Sequence, residues 1–245
     1  MCGRETSQRW RIICALLLVL LSSAPVATAQ SKNKNAKRIS EATSQSQKAA
    51  KIFTQIMNVP EKAIPQDLID KAEAIAVFPD VIKAGFIVGG RGGRGVISRR
   101  TGSSWSAPAF FNLGGGSIGL QIGASSTDFV LLFMNDEALK GLLEDKFEIG
   151  GEGSLAAGPV GRSASASTDA QLKAGILSYS RSKGLFAGLE LKGVVINPDN
   201  NDNEAVYGFK AQDILTGSKK ISINRMPAGV RIFPRTLARY STRKK

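Results

Sequence analysis

Residue types able to do chemistry are scarce in this sequence. None of its 245 residues is a histidine. That excludes a Ser-His-Asp or Cys-His relay and any histidine-ligated zinc or haem. The only cysteines, Cys2 and Cys14, fall in an N-terminal segment with the features of an export signal. Carboxylates occur in pairs. Asp136-Glu137 reads as a helix cap and Glu144-Asp145 as a solvated helix face. Asp199 and Asp202, in PDNNDNE, have calcium-like spacing but lack the loop glycine and terminal acid of an EF-hand. Gly90-Arg91-Gly92-Gly93-Arg94-Gly95 has the form G-x-G-x-x-G, yet strand-like residues follow it where a dinucleotide site needs a helix. It reads instead as a glycine-rich β-turn offering Arg91 and Arg94 to a phosphate group, or simply as an exposed solubilising turn. No catalytic residue, cofactor or metal ligand is expected.

The elements that would position these residues follow from periodicity. Arg4, Arg9 and Arg11 precede an apolar run over residues 12–21, then Ala27-Thr28-Ala29, the pattern of a cleaved signal peptide over 1–29. The run is too short for a membrane span, which takes about 20 residues. Residues 30–38 are polar and basic and read as a disordered leader. From Ile39 to Met57 helical spacing puts Ala42, Ala49, Ile52, Phe53, Ile56 and Met57 on one face, flanked by Lys48 and Lys51. A second helix starts after Pro65.

Beyond Pro79 the texture is β. Strands are predicted at 84–88 and 95–98 around the glycine-rich turn, then at 104–111, 117–123 and 129–134. The last, FVLLFM, is continuously apolar and should be buried on both faces. Asn135 opens a short helix. Strands at 146–155, 171–180 and 185–196 follow, then a loop at 198–203 and a helix over 204–215. Glycines inside strands imply tight curvature or close backbone approach. The expected fold is α+β, a β-rich, glycine-rich curved sheet, barrel or sandwich-like, with N-terminal helices packed beside it.

Charge is uneven. The net charge is +13, and residues 218–245 hold nine Lys/Arg and no acid. With Pro227, Gly229 and Pro234, this stretch reads as a loosely held basic tail. Basic ends attract polyanions, and an export signal makes nucleic acid the least available of them.

The chain resembles the SYLF-domain family. The resemblance rests on Ile64-Pro65 with Leu68-Ile69 and Lys71-Ala72, on Val81-Ile82-Lys83-Ala84-Gly85-Phe86, and on Gly92 to Gly95. It continues through Trp105 to Pro108, Gly119 with Gln121 to Gly123, Gly158 to Arg162, and Tyr179 to Gly188. It covers 39–217 and neither basic end. Eukaryotic members bind phosphoinositide membranes and fungal members also bind actin filaments. The resemblance therefore implies lipid binding by the basic amphipathic helix that opens the domain, here residues 46–57. With the export signal, it implies a bacterial, periplasmic protein, peripheral at a membrane, for which actin is not an expected partner.

The sequence thus predicts non-enzymatic binding to an anionic phospholipid surface. The candidate headgroup contacts are Lys48, Lys51, Lys83, Arg91, Arg94, Arg181 and Lys183, with Phe53 and Ile56 inserting. The same helix face has another possible fate, packing on the β core, which periodicity alone slightly favours. The alternative function is an envelope scaffolding or interaction protein without lipid specificity.

Overall fold

The computed structural model describes residues 25–144, 146–150, 154–160, 174–182, 185–186, 191, 193–219, 221 and 226–241, with backbone alone at 25–32, 86–88, 117–124, 182 and 185–186. Residues 1–38 and 39–245 are separate compact units. Most of the predicted signal segment lies outside the described residues. Helix α1 covers Pro25–Met57, so residues 30–38 are helical rather than a disordered leader. No glycine or internal proline interrupts that stretch. A helix already nucleated downstream extends through such a segment at little cost.

In the second unit, α2 (Gln66–Lys71) leads into β1 (Ala74–Thr101), β2 (Ser104–Trp105) and β3 (Ala109–Phe133). Then come α3 (Asp136–Leu143), β4 (Phe147–Ile149), β5 (Leu155–Ala157), β6 (Ile176–Ser182), β7 (Leu185–Phe186) and β8 (Val194–Pro198). Helices α4 (Asn200–Tyr207), α5 (Ala211–Thr216) and α6 (Ile232–Tyr240) close the chain. The eight strands form a mixed, nearly closed, barrel-like sheet, as the expected fold class required.

Two very long strands organise it. β1 and β3 pair antiparallel from Ala74↔Phe133 to Ile97↔Ala109. There is no turn at Gly90–Gly95, because the strand runs straight through the glycines. The ribbon curls until its ends meet, the Arg100 N–H donating to the Glu73 carbonyl at 2.7 Å. Gly95 lies against Phe78 and Val77, where an added Cβ would stand 2.6 Å from the Val77 carbonyl oxygen. Glycine is required there for close approach, so the phosphate-nest reading of this segment gives way to a packing one.

The sheet is buried on both faces. Val130 and Leu132 face a core shared with α1, α2 and α6, while Phe129, Leu131 and Phe133 face a second core with α3 and α5. The continuous apolar run is therefore the doubly buried strand its sequence predicts. Asn135 caps α3 as expected, its side-chain oxygen accepting from the Ala138 N–H at 2.9 Å. The PDNNDN segment is not a loop. Asp199 caps α4, accepting from the Asp202 N–H at 3.2 Å.

The C-terminal stretch departs furthest from expectation. Met226, Val230, Phe233 and Leu237 are buried in the first core, and α6 is docked rather than loose. Pro234 sits in the first turn of α6, where its missing N–H would have had no intrahelical partner.

Candidate functional site: a basic face around a strand bulge

Pro79 cannot donate to a β ladder, and the β1–β3 register slips there. Pro79 and Asp80 together oppose the single residue Asp128, between the pairs Phe78↔Phe129 and Val81↔Thr127. Asp80 takes a left-handed conformation, φ 52°, which aspartate tolerates better than most residues. Its freed backbone N–H donates to Asp128 Oδ1 at 3.0 Å. The other oxygen of Asp128 accepts from Arg181 Nη2 at 2.7 Å and Nε at 3.1 Å. Register places Arg181 on β6 directly beside Asp128. Asp128 is buried to 8% exposure, so its negative charge needs this guanidinium.

Helix α1 closes the cluster. Lys48 Nζ lies 3.3 Å from Asp80 Oδ2, both side chains being exposed, so this pair adds little stability. Gln55 accepts from Arg181 Nη1 at 2.8 Å. Lys51, exposed, lies between them on the same stripe, since residues three and four apart are neighbours on a helix. Just past the bulge, Ile82 is 56% exposed, and Lys83 pairs in register with Ser125. The structure thus brings together Lys48, Lys51 and Arg181 near the exposed Ile82, with Asp80 and Asp128 as organising acids. Lys83 is not part of the cluster, because successive strand residues alternate and it shares the opposite sheet face with Val81, which packs in the second core.

The remaining predicted contacts are placed differently. Phe53 is 0% and Ile56 1% exposed, so they are core residues and not surface anchors. The cause is packing: Phe53 meets the Tyr240 ring edge-on at 5.8 Å. Arg94 faces inward to an acidic cage. It bonds Glu41 Oε2 at 3.1 Å, Asp199 Oδ2 at 3.3 Å and the fully buried Asp202, while its carbonyl accepts from Gln45. Burial opposes its charge, but the Glu41 hydrogen bond and the charges of Asp202 and Asp199 outweigh that and hold its pKa above the ordinary value. The acids of the calcium-like spacing thus serve to hold Arg94. Arg91 lies farther along the ribbon, paired in register with Gly115 and away from the bulge. Lys183 lies outside the described residues.

Sequence reasoning missed Asp80 and Asp128. The Phe-Pro-Asp step was the available signal, because proline in a strand marks an edge or bulge. Among the described residues no cluster of three or more possible ligands could hold a metal ion, and no helix is long and apolar enough to cross a membrane.

The site is a positively biased surface, three cations against two acids, on a curved-sheet scaffold. Residues 114–240, more than half the chain, match the family described as Ysc84, "Las17-binding protein actin regulator". The chain belongs to this Ysc84, or SYLF, family. It is 37% identical over 184 residues to the SH3 domain-containing YSC84-like protein 1 of Xenopus laevis, covering 71% of this chain and 55% of that protein. The human protein of the same name is 37% identical over 183 residues, with 71% and 53% covered. LAS seventeen-binding protein 3 of Saccharomyces cerevisiae is 36% identical over 185 residues, with 71% and 40% covered. The chain spans about half the length of the curated relatives it matches.

Proposed function

We propose that this protein binds anionic phospholipid surfaces without catalysing a reaction, through the bulge face and with α1 still docked. The carrying observation is the convergence of Lys48, Lys51 and Arg181 near the exposed Ile82. Each basic residue near an anionic surface is worth about 1 kcal/mol. Ile82 adds a shallow apolar contact that a purely electrostatic surface lacks. Docked helix insertion is disfavoured, because withdrawing Phe53, Ile56 and Met57 from the core would each cost roughly 1.5–3 kcal/mol. The export-type N-terminus supports the further proposal that the surface is a membrane of a bacterial envelope, reached from the periplasm.

Co-sedimentation of the full chain with phosphatidylserine-containing vesicles tests this reading. Lys48→Glu with Lys51→Glu should weaken binding at least thirtyfold, from two lost attractions of about 1 kcal/mol each. Unchanged binding by the double variant would refute the assignment of this face.

A second reading is favoured by the family's description. The matched family is described as Las17-binding and actin-regulating, so a protein partner could occupy the same basic face. Saturable binding to an acidic protein, with no response to the lipid's charge, would put that reading ahead.

A further inference from the structure

The helix α6 was expected to be part of a loose tail, and its docked position gives its charges a fixed address. Phe233, Thr236 and Leu237 point into the core. Opposite them Arg235 and Arg239 are exposed, with Ile232 exposed at 39%. Those three residues follow i, i+3, i+7 spacing, so they share one stripe. No acidic residue occurs anywhere in 218–245 to offset them.

The contacts of α6 fix its direction along α1. At its leading end the Val230 carbonyl accepts from Ser46 Oγ at 2.8 Å, and Gly229 lies so close to Thr43 and Gln47 that a Cβ there would collide with them. At its trailing end the Tyr240 ring meets Phe53, and the Tyr240 hydroxyl bonds Asn58 Oδ1 at 3.1 Å. Trp105 Nε1 donates to Ser241 Oγ at 3.2 Å just beyond. The two helices therefore run side by side in the same direction, and α6 spans the turns of α1 that carry Lys48 and Lys51.

We infer that α6 is a second lipid-contacting element, in which Arg235 and Arg239 engage anionic headgroups beside an inserted Ile232. This rests on the reading of the bulge face as a membrane surface and extends it to a two-helix platform. The chemistry fits an anionic bilayer: like-signed charges at helical spacing around an exposed branched apolar residue. Placement on a rigid helix makes this contact position-specific, where a mobile tail would contribute only its net charge.

The test compares full-length variants of equal charge on phosphatidylserine vesicles. Arg235→Gln with Arg239→Gln should weaken binding roughly thirtyfold. Lys140→Gln with Lys210→Gln, two exposed lysines on α3 and before α5, should weaken it no more than about twofold, through long-range attraction that salt screens. All four positions are exposed, so the thermal midpoints should match and folding would not confound the comparison. Equal losses in the two pairs would overturn the inference, reducing α6 to bulk charge. If Lys48→Glu with Lys51→Glu abolishes binding while the α6 pair behaves like the control, the bulge reading stands and this one fails. If the unaltered protein ignores anionic vesicles, both fall together.

Discussion

Deleting residues 218–245 is expected to unfold the domain instead of merely trimming its charge. Met226, Val230, Phe233 and Leu237 would leave the core that α1, α2 and the sheet share. Burying each such side chain is worth roughly 1.5–3 kcal/mol, so the four together reach about 6–12 kcal/mol. That is comparable to the whole stability of an ordinary domain, about 5–15 kcal/mol. The deletion would also strip the Tyr240 ring from Phe53 and leave the Trp105 N–H without Ser241. Circular dichroism against temperature checks this. A truncated chain that still melts cooperatively near the full-length midpoint would show that α6 is dispensable.

The second large effect concerns Arg94. Its removal by Arg94→Ala would leave Asp202, 1% exposed, as a buried carboxylate without its cation. Breaking such a pair from one side costs about 3–5 kcal/mol. Asp202→Asn should cost clearly less. It removes the charge that requires a partner, and Arg94 keeps Glu41 and Asp199 and is itself 40% exposed. Arg94→Lys should fall between, because a single ammonium cannot reproduce the guanidinium fork across three acids. Urea unfolding of the three variants measures the order. An Arg94→Ala loss below about 1 kcal/mol would contradict the caged role and reopen the residue as a surface contact.

What was legible in the sequence was whatever periodicity encodes. The doubly buried run at Phe129–Phe133 and the Asn135 cap each have a local signature, and each is where it was expected. The apolar stripe of α1 was equally legible, but its period could not say whether Phe53 and Ile56 enter a membrane or, as found, the core. The β1–β3 ribbon was not legible as two strands, because glycine usually signals a turn and only the fold-back onto Phe78 shows why Gly95 belongs in a strand. Helix α6 was hidden by Pro227, Gly229 and Pro234, and by its length of 9 residues, too short to show a sustained period. The site was half legible. Basic residue types suggested Lys48, Lys51 and Arg181, but the charge pattern could not separate them from Lys83 on the other sheet face or from Arg94, whose acids lie 53, 105 and 108 residues away. The bond between Asp80 and Asp128 spans 48 residues and has no local trace at all.

The central claim, that the bulge face meets the membrane, is tested most directly at Ile82. An environment-sensitive fluorophore would be placed on Ile82→Cys in the full chain, with Cys2 and Cys14 changed to serine, and a control label on the exposed Glu204 of α4. On adding phosphatidylserine vesicles, the label at 82 should shift to the blue and brighten, and the label at 204 should not change. A silent label at 82 on vesicle-bound protein would show that another surface makes the contact.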